Sequence, residues 1–212
     1  MKTDDLIGAL SADATPQDTS PRNAFALALA GGALTAGAVF FATLGPRHDF
    51  MSAIHTMRFD FKFVVTLVLA VTALLAATDM TRPEIHRSRQ RKFLLAAPVL
   101  MILAVMFELY MVPSDQWMTK LVGHNMRFCT TMIPVFALGP LTLMLWAFRR
   151  GAPENPTRAG ALAGLIAGGL GAAFYAAHCF DDSPLFVATW YTLAIAFVTG
   201  LGALLGSKLL RW

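Results

Sequence analysis

The chain has 212 residues, of which 56% are hydrophobic and only 14% charged, with a formal net charge of +4. An ordinary soluble domain carries about 25% charged residues, so a soluble globular fold is excluded and the bilayer is the solvent. The basic excess is unevenly divided between the apolar runs, which makes it a topology signal rather than a nucleic-acid footprint.

Residues 1–23, MKTDDLIGALSADATPQDTSPRN, are polar and lack the short apolar core of a cleaved signal peptide. Thr3 can cap a helix whose first turn carries Asp4 and Asp5, which favour the positive end of the helix dipole. Leu6, Ile7 and Leu10 then form one small apolar face before Pro16 stops the pattern. Asp4, Asp5, Asp13 and Asp18 outweigh Lys2 and Arg22, so this segment suits the groove of a basic protein partner better than the anionic inner leaflet. A tail with no structure and no partner is the alternative.

Crossing a hydrocarbon core of about 30 Å takes roughly 20 apolar residues. Six runs of that kind follow, at about 24–44, 61–78, 93–112, 128–148, 159–180 and 185–207. They predict an all-α fold: a polytopic bundle of six transmembrane helices over residues 24–212. An open sheet would leave backbone groups unpaired in lipid, and the alternation of a barrel is absent. Between the first two runs, Phe50, Ile54, Met57 and Phe61 fall at helical spacing and predict an amphipathic helix lying on the membrane surface.

Lysines and arginines orient the bundle. Lys2, Arg22, Arg82, Arg87, Arg89, Arg91, Lys92, Arg149, Arg150, Arg158, Lys208 and Arg211 fall on one side, against Arg47, Arg58, Lys62, Lys120 and Arg127 on the other. The first group marks the cytoplasm, so both termini are expected there.

Glu108 lies four residues before the end of the third run, where a carboxylate is costly unless it reaches headgroups, a neighbouring arginine or the bundle interior. Pro98, Pro134 and Pro140 are expected to kink their helices. The two cysteines, Cys129 and Cys179, sit at the start of the fourth run and the end of the fifth, at matched depth on the outer side. Gly160, Gly164 and Gly168, with Gly169 and Gly171, form a small-residue stripe that lets helices approach closely. His124, His178, Asp181 and Asp182 accompany the thiols. Cys129, Cys179, His178 and His124 supply donors suited to zinc or a heavy metal, and the thiols alone suit a reversible disulfide. Asp181 and Asp182 by themselves fit a solvated turn before Pro184. Cysteines acting simply as small apolar residues are the plain alternative. No CxxC or HxxxH spacing is present, and no resident cofactor is expected.

The MKTDDLIGAL start, the polar tail, the six spans and the contexts of Cys129 and Cys179 together resemble the NrsF family (negative regulator of sigma F) over essentially the whole chain. The resemblance implies a bacterial inner-membrane anti-sigma factor for an extracytoplasmic-function sigma factor. Thr3, Asp4, Asp5, Leu6, Ile7 and Leu10 would hold the sigma factor. Cys129 and Cys179 would sense a metal or oxidant from the periplasm and trigger release. A membrane thiol oxidoreductase or a small transporter are the rival classes. The first usually needs a second thiol pair or a CxxC, the second more than one acidic residue near a membrane edge. No Ser/His/Asp arrangement, phosphate loop or carboxylate pair points to an enzyme.

Overall fold

A computed structural model describes residues 3, 7, 8, 20–80, 92–151 and 153–211, and among these every regular element is helical. The helices are α1 (Pro21–Thr43), α2 (Phe50–Ala53), α3 (Met57–Met80), α4 (Ala96–Met111), α5 (Trp117–Val122), α6 (Met126–Arg150), α7 (Pro156–Ala176) and α8 (Pro184–Leu209). A π-helical turn, Val187–Tyr191, interrupts α8.

Five of these helices, α1, α3, α6, α7 and α8, are long and apolar enough to cross a membrane, where the sequence suggested six. The exception is the expected span at 93–112. It yields only the 16 residues of α4, about 24 Å of helix. Prolines trim it at both ends. Pro98 has no N–H to bond back to residue 94, and the chain turns at 94–95 before α4 begins. Val112, which precedes Pro113, is extended with φ −106° and ψ 132°. The amphipathic surface helix is also corrected: α2 stops at Ala53, residues 54–56 turn, and the Thr56 carbonyl opens α3 by accepting from Phe59 and Asp60. Phe61 therefore belongs to α3, and Met57 is almost fully exposed.

α7 is the central helix, and its glycines explain why. A Cβ on Gly164 would lie 2.6 Å from the Thr199 Cα of α8, and one on Gly160 would collide with the Gly202 carbonyl. Gly168 faces Ile195 of α8, Gly169 faces Ala70 of α3, and Gly171 faces Ile133 and Ala137 of α6. The expected small-residue stripe is therefore real, but its four-residue row seats α8, while Gly171 brings α7 against the cysteine-bearing α6. α6 itself runs through Pro134 and Pro140 as one helix of 25 residues.

Cores occupy both ends of the bundle. One joins Phe25, Met144, Phe148 and Ile166; the other joins Phe40, Ile133, Phe136, Tyr175, Phe186 and Tyr191 around the two cysteines. At the cysteine end lie the end of α1, the start of α3, the end of α4, the start of α6, the end of α7 and the start of α8. The starts of α1 and α7 and the ends of α3, α6 and α8 are consequently at the opposite end, together with Arg149, Arg150, Arg158 and Lys208.

Candidate functional site

α7 ends at Ala176, four residues short of the expected span, so Cys179 lies in an irregular segment, 177–183, that joins α7 to α8. The segment begins as a tightened helical end, with His178 N–H donating to the Tyr175 carbonyl and Cys179 N–H to the same oxygen, each at 3.0 Å. It finishes at Ser183, whose hydroxyl caps α8 by accepting from Leu185 N–H at 3.3 Å, with Pro184 in the first helical turn.

Side chains from four other elements hold this segment. Lys62, fully buried in the second turn of α3, donates to the Cys179 carbonyl at 2.8 Å and pairs with Asp182. Arg47, from the loop after α1, donates to the same carbonyl at 3.2 Å and to Asp182 Oδ2 at 3.0 Å, while its backbone N–H reaches the Ala177 carbonyl at 3.0 Å. Its guanidinium also stacks 4.6 Å from the Phe180 ring centroid, and the Lys62 ammonium lies 5.1 Å from that of Phe59. Asp49 binds the outer edge of Arg47 at 2.6 and 2.7 Å. That hydrogen bond holds the Asp49 carboxyl down at about 2 and raises the Arg47 guanidinium, so both stay charged.

Asp181 works on the opposite side. Its carboxylate accepts from His124 N–H at 3.0 Å, Asn125 N–H at 2.8 Å and the Asn125 side chain at 3.0 Å, which fixes the start of α6 one turn before Cys129. Gly123 makes that approach possible. Its φ of 59° and ψ of −165° belong to glycine, and a Cβ there would sit 2.8 Å from Asp181 Cγ and 2.5 Å from Phe186. Asp181 and Asp182 are therefore structural partners and not the solvated turn their sequence suggests.

Glu108 completes the constellation. It is buried in the last turn of α4, accepts from Ser183 Oγ at 3.2 Å, and pairs with Arg58 of α3 at 2.7 Å. The neighbouring-arginine expectation is met, and the pair fastens the far end of α4 to the bundle. It also shows that α4 runs antiparallel to α3.

Cys129 and Cys179 come into one apolar cluster, as their matched depth allows, and both are free thiols with no exposed surface. Cys179 Sγ lies 3.8 Å from the Asp181 carbonyl. Burial pushes the Cys179 thiol up from its ordinary range, opposed by the Lys62 charge. The Tyr175 and Tyr191 hydroxyls are buried in the same cluster, beside the Cys179 thiol.

The two histidines do not join the thiols. His178 Nδ1 turns to the Gly45 carbonyl at 3.0 Å, and His124 projects outward, 91% exposed, beside Asp181. Among the described residues, no group of three or more His, Cys, Asp and Glu side chains is placed to hold a metal ion. The set of Cys129, Cys179, His178 and His124 is not brought together among the described residues: the His178 ring faces the Gly45 carbonyl, and Asp181 holds the His124 backbone while its ring stays exposed. In the N-terminal segment, Thr3 and Ile7 are described and exposed, while Asp4, Asp5, Leu6 and Leu10 lie outside the described residues.

Arg47, Lys62 and the tyrosines were not singled out from sequence. The signal for Lys62 was available: one lysine inside an apolar run demands a counter-charge at its own depth, and Asp181 and Asp182 are among the acids on that side.

Residues 10–212 match the family model described as NrsF, negative regulator of sigma F. Over the full length of both chains, the sequence is 35% identical to the anti-sigma-F factor NrsF of Caulobacter vibrioides and 31% identical to the probable anti-sigma-F factor NrsF of Azospira oryzae. No solved structure matches the chain.

Proposed function

Since the chain belongs to the NrsF family, negative regulators of sigma F, we propose that it is an anti-sigma factor that holds an extracytoplasmic-function sigma factor at the bacterial inner membrane. Residues 1–23 are the holding element, with Leu6, Ile7 and Leu10 as apolar anchors, Asp4 and Asp5 facing basic residues of the sigma factor, and Thr3 capping the helix. A metal or oxidant arriving from the periplasm acts on Cys129 and Cys179 and causes release.

The observation that carries this reading, beside the family, is the polarity of the bundle. The start of α1, next to the tail, shares its end with Arg149, Arg150, Arg158 and Lys208, and the thiols occupy the other. Cationic loops belong on the cytoplasmic side, which sets an output at one face and an input at the other. The two are joined by α3, α6, α7 and α8, each anchored in the segment around Cys179. Tipping a two-state bundle from mostly holding to mostly released takes on the order of 5 kcal/mol of differential stabilisation. A disulfide typically contributes about 2–4 kcal/mol, so a thiol event can supply much of the shift.

Two measurements test the halves separately. A peptide of residues 1–23 should retain the sigma factor from a cytoplasmic extract, and the same peptide with Leu6→Asp and Leu10→Asp should not; equal retention refutes the holding element. Full-length protein with Cys129→Ser and Cys179→Ser should keep the sigma factor bound under metal or oxidant stress. Normal release from that variant refutes the sensing half and leaves the holding half standing.

A further inference from the structure

Both thiols are fully buried in one cluster, and the irregular segment 177–183 carries one of them. A buried thiol reacts only when its surroundings open, so what governs opening governs reaction. We propose that residues 177–183 form a strap over Cys129 and Cys179, latched by Arg47 and Lys62 around Asp182, and that opening of this latch sets the rate at which thiol-reactive species reach the two sulfurs. The inference rests on the proposed function for the consequence of thiol modification. Its statement about access stands or falls independently.

Three observations carry it. Two cations from different elements converge on one carbonyl and one carboxylate of the strap: Lys62 Nζ and Arg47 Nη1 both donate to the Cys179 oxygen, at 2.8 and 3.2 Å, and both pair with Asp182. The strap cannot lift without separating these charges. Second, residues 179–183 form no helix or strand, so the segment is secured mainly by side chains reaching in from its neighbours. Third, the strap touches both cysteine-bearing elements, because Asp181 binds the backbone at the start of α6 while Cys179 itself sits three residues past α7. Arg47, Lys62 and Asp182 are thus positioning residues: they act on the thiols through the strap and need touch no reagent.

The test uses full-length protein in lipid nanodiscs, where both faces are open, and a charged maleimide that does not enter the bilayer. Each thiol adds across the maleimide double bond, sulfur to one carbon and proton to the other, and mass spectrometry resolves the two labelled peptides. A cysteine introduced by His124→Cys, in a Cys129→Ser, Cys179→Ser background, is the exposed reference. One introduced by Val198→Cys, in the same background and 1% exposed in α8, reports general loosening. In the otherwise unaltered protein, Cys179 should label at least 100-fold more slowly than the reference. Lys62→Met and Asp182→Asn should raise that rate 10-fold or more, with the Val198→Cys position still protected in both variants.

The proposal is overturned if the latch variants label at the unaltered rate, if the unaltered protein labels as fast as the reference, or if the Val198→Cys position is exposed in parallel. Lys62→Met keeps a packed stem and one cation on the strap, so it remains informative where Asp182→Asn fails to fold. Faster labelling without any effect of labelling on sigma-factor retention would sustain the strap and overturn the sensing half of the proposed function.

Discussion

Asp182→Asn and Lys62→Met remove opposite partners of one ion pair, yet they should differ widely in cost. Lys62 has no exposed surface, and its partners are the Asp182 carboxylate and the Cys179 carbonyl. Without the carboxylate, the buried ammonium keeps only neutral partners, the Cys179 carbonyl, the Phe59 ring and the introduced amide oxygen, and stranding a buried charge typically costs about 3–5 kcal/mol. Removing Lys62 strands nothing. Asp182 keeps Arg47 at 3.0 Å, and the Cys179 carbonyl keeps its bond from the same guanidinium. The methionine fills most of the stem volume, so the loss is that of one charge-assisted hydrogen bond, about 1.5–3 kcal/mol, offset by no longer burying a cation. Asp182→Asn should therefore lower the thermal midpoint of the detergent-solubilised protein by about 6–20 °C, taking roughly 2–4 °C per kcal/mol for a chain of this size. Lys62→Met should cost less than half as much. The double variant Lys62→Met, Asp182→Leu should recover part of the Asp182→Asn loss, because an apolar pair replaces an ionic one. A Lys62→Met protein as unstable as Asp182→Asn would refute the assignment of Arg47 as the second cation on Asp182.

Gly164→Val should separate α7 from α8, since its Cβ would stand 2.6 Å from the Thr199 Cα; overpacking of this kind costs about 1–3 kcal/mol, read as a lower thermal midpoint, and Gly200→Val, where nothing lies within 4 Å, should be near neutral. Gly123→Ala combines a glycine-only conformation with contact on Phe186 and Asp181; it should cost at least about 1–3 kcal/mol and raise hydrogen exchange at His124 and Asn125, whose amides Asp181 binds. The Arg47–Asp49 pair carries a pH signature: Asp49 titrates at about 2 in the folded chain against an ordinary 3.8, so its contribution is present above the ordinary value and lost as pH falls through the folded one. The difference in thermal midpoint between the unaltered protein and Asp49→Asn should be flat above about pH 5 and close as pH drops from 4 towards 2; a gap that instead widens would contradict the pairing.

Much of the fold is legible from hydropathy because lipid tolerates few solutions. Uncharged runs of about 20 residues become helices there, and all five long helices begin and end within four residues of the runs that announce them. The failures share a cause. α4 is shorter than its apolar run because Pro98 and the residue before Pro113 act on the backbone, which a hydropathy sum does not weigh. α3 begins earlier than its run because a helix can carry Arg58 and Asp60 at the bundle end, where Glu108 pairs the arginine and the aspartate is exposed. Depth was readable for the cysteines, since residue counts from Arg149 and Arg158 fix it. Side-chain pairing was not, because it depends on helix rotation. The same limit let His124 and His178 look like ligands until Asp181 and Gly45 were seen to hold their surroundings.

The placement of charge at the cysteine end bears on what kind of signal the bundle can register. A membrane helix that buries a lysine accepts a cost that Val or Leu at Lys62 would avoid, and a bare hydrophobic plug would cover Cys129 and Cys179 as well. An apolar plug, however, is held by area alone and is as stable in lipid as in protein, so it offers no sharp distinction between shut and open. A latch of two cations on one carboxylate and one carbonyl behaves differently. Closed, it is stabilised by low-dielectric pairing; displaced by a few ångströms, it exchanges that pairing for water at the interface, and intermediate positions satisfy neither. Such an arrangement favours two states over a continuum, and it places the boundary between them on Cys179, the residue whose thiol the proposed sensing would modify. The Cys179 carbonyl takes both cations, so a bulky adduct or a new bond at its side chain disturbs the very oxygen that Lys62 and Arg47 hold. Through Lys62 that disturbance reaches α3 directly, and α3 runs unbroken to Met80 at the basic end of the bundle.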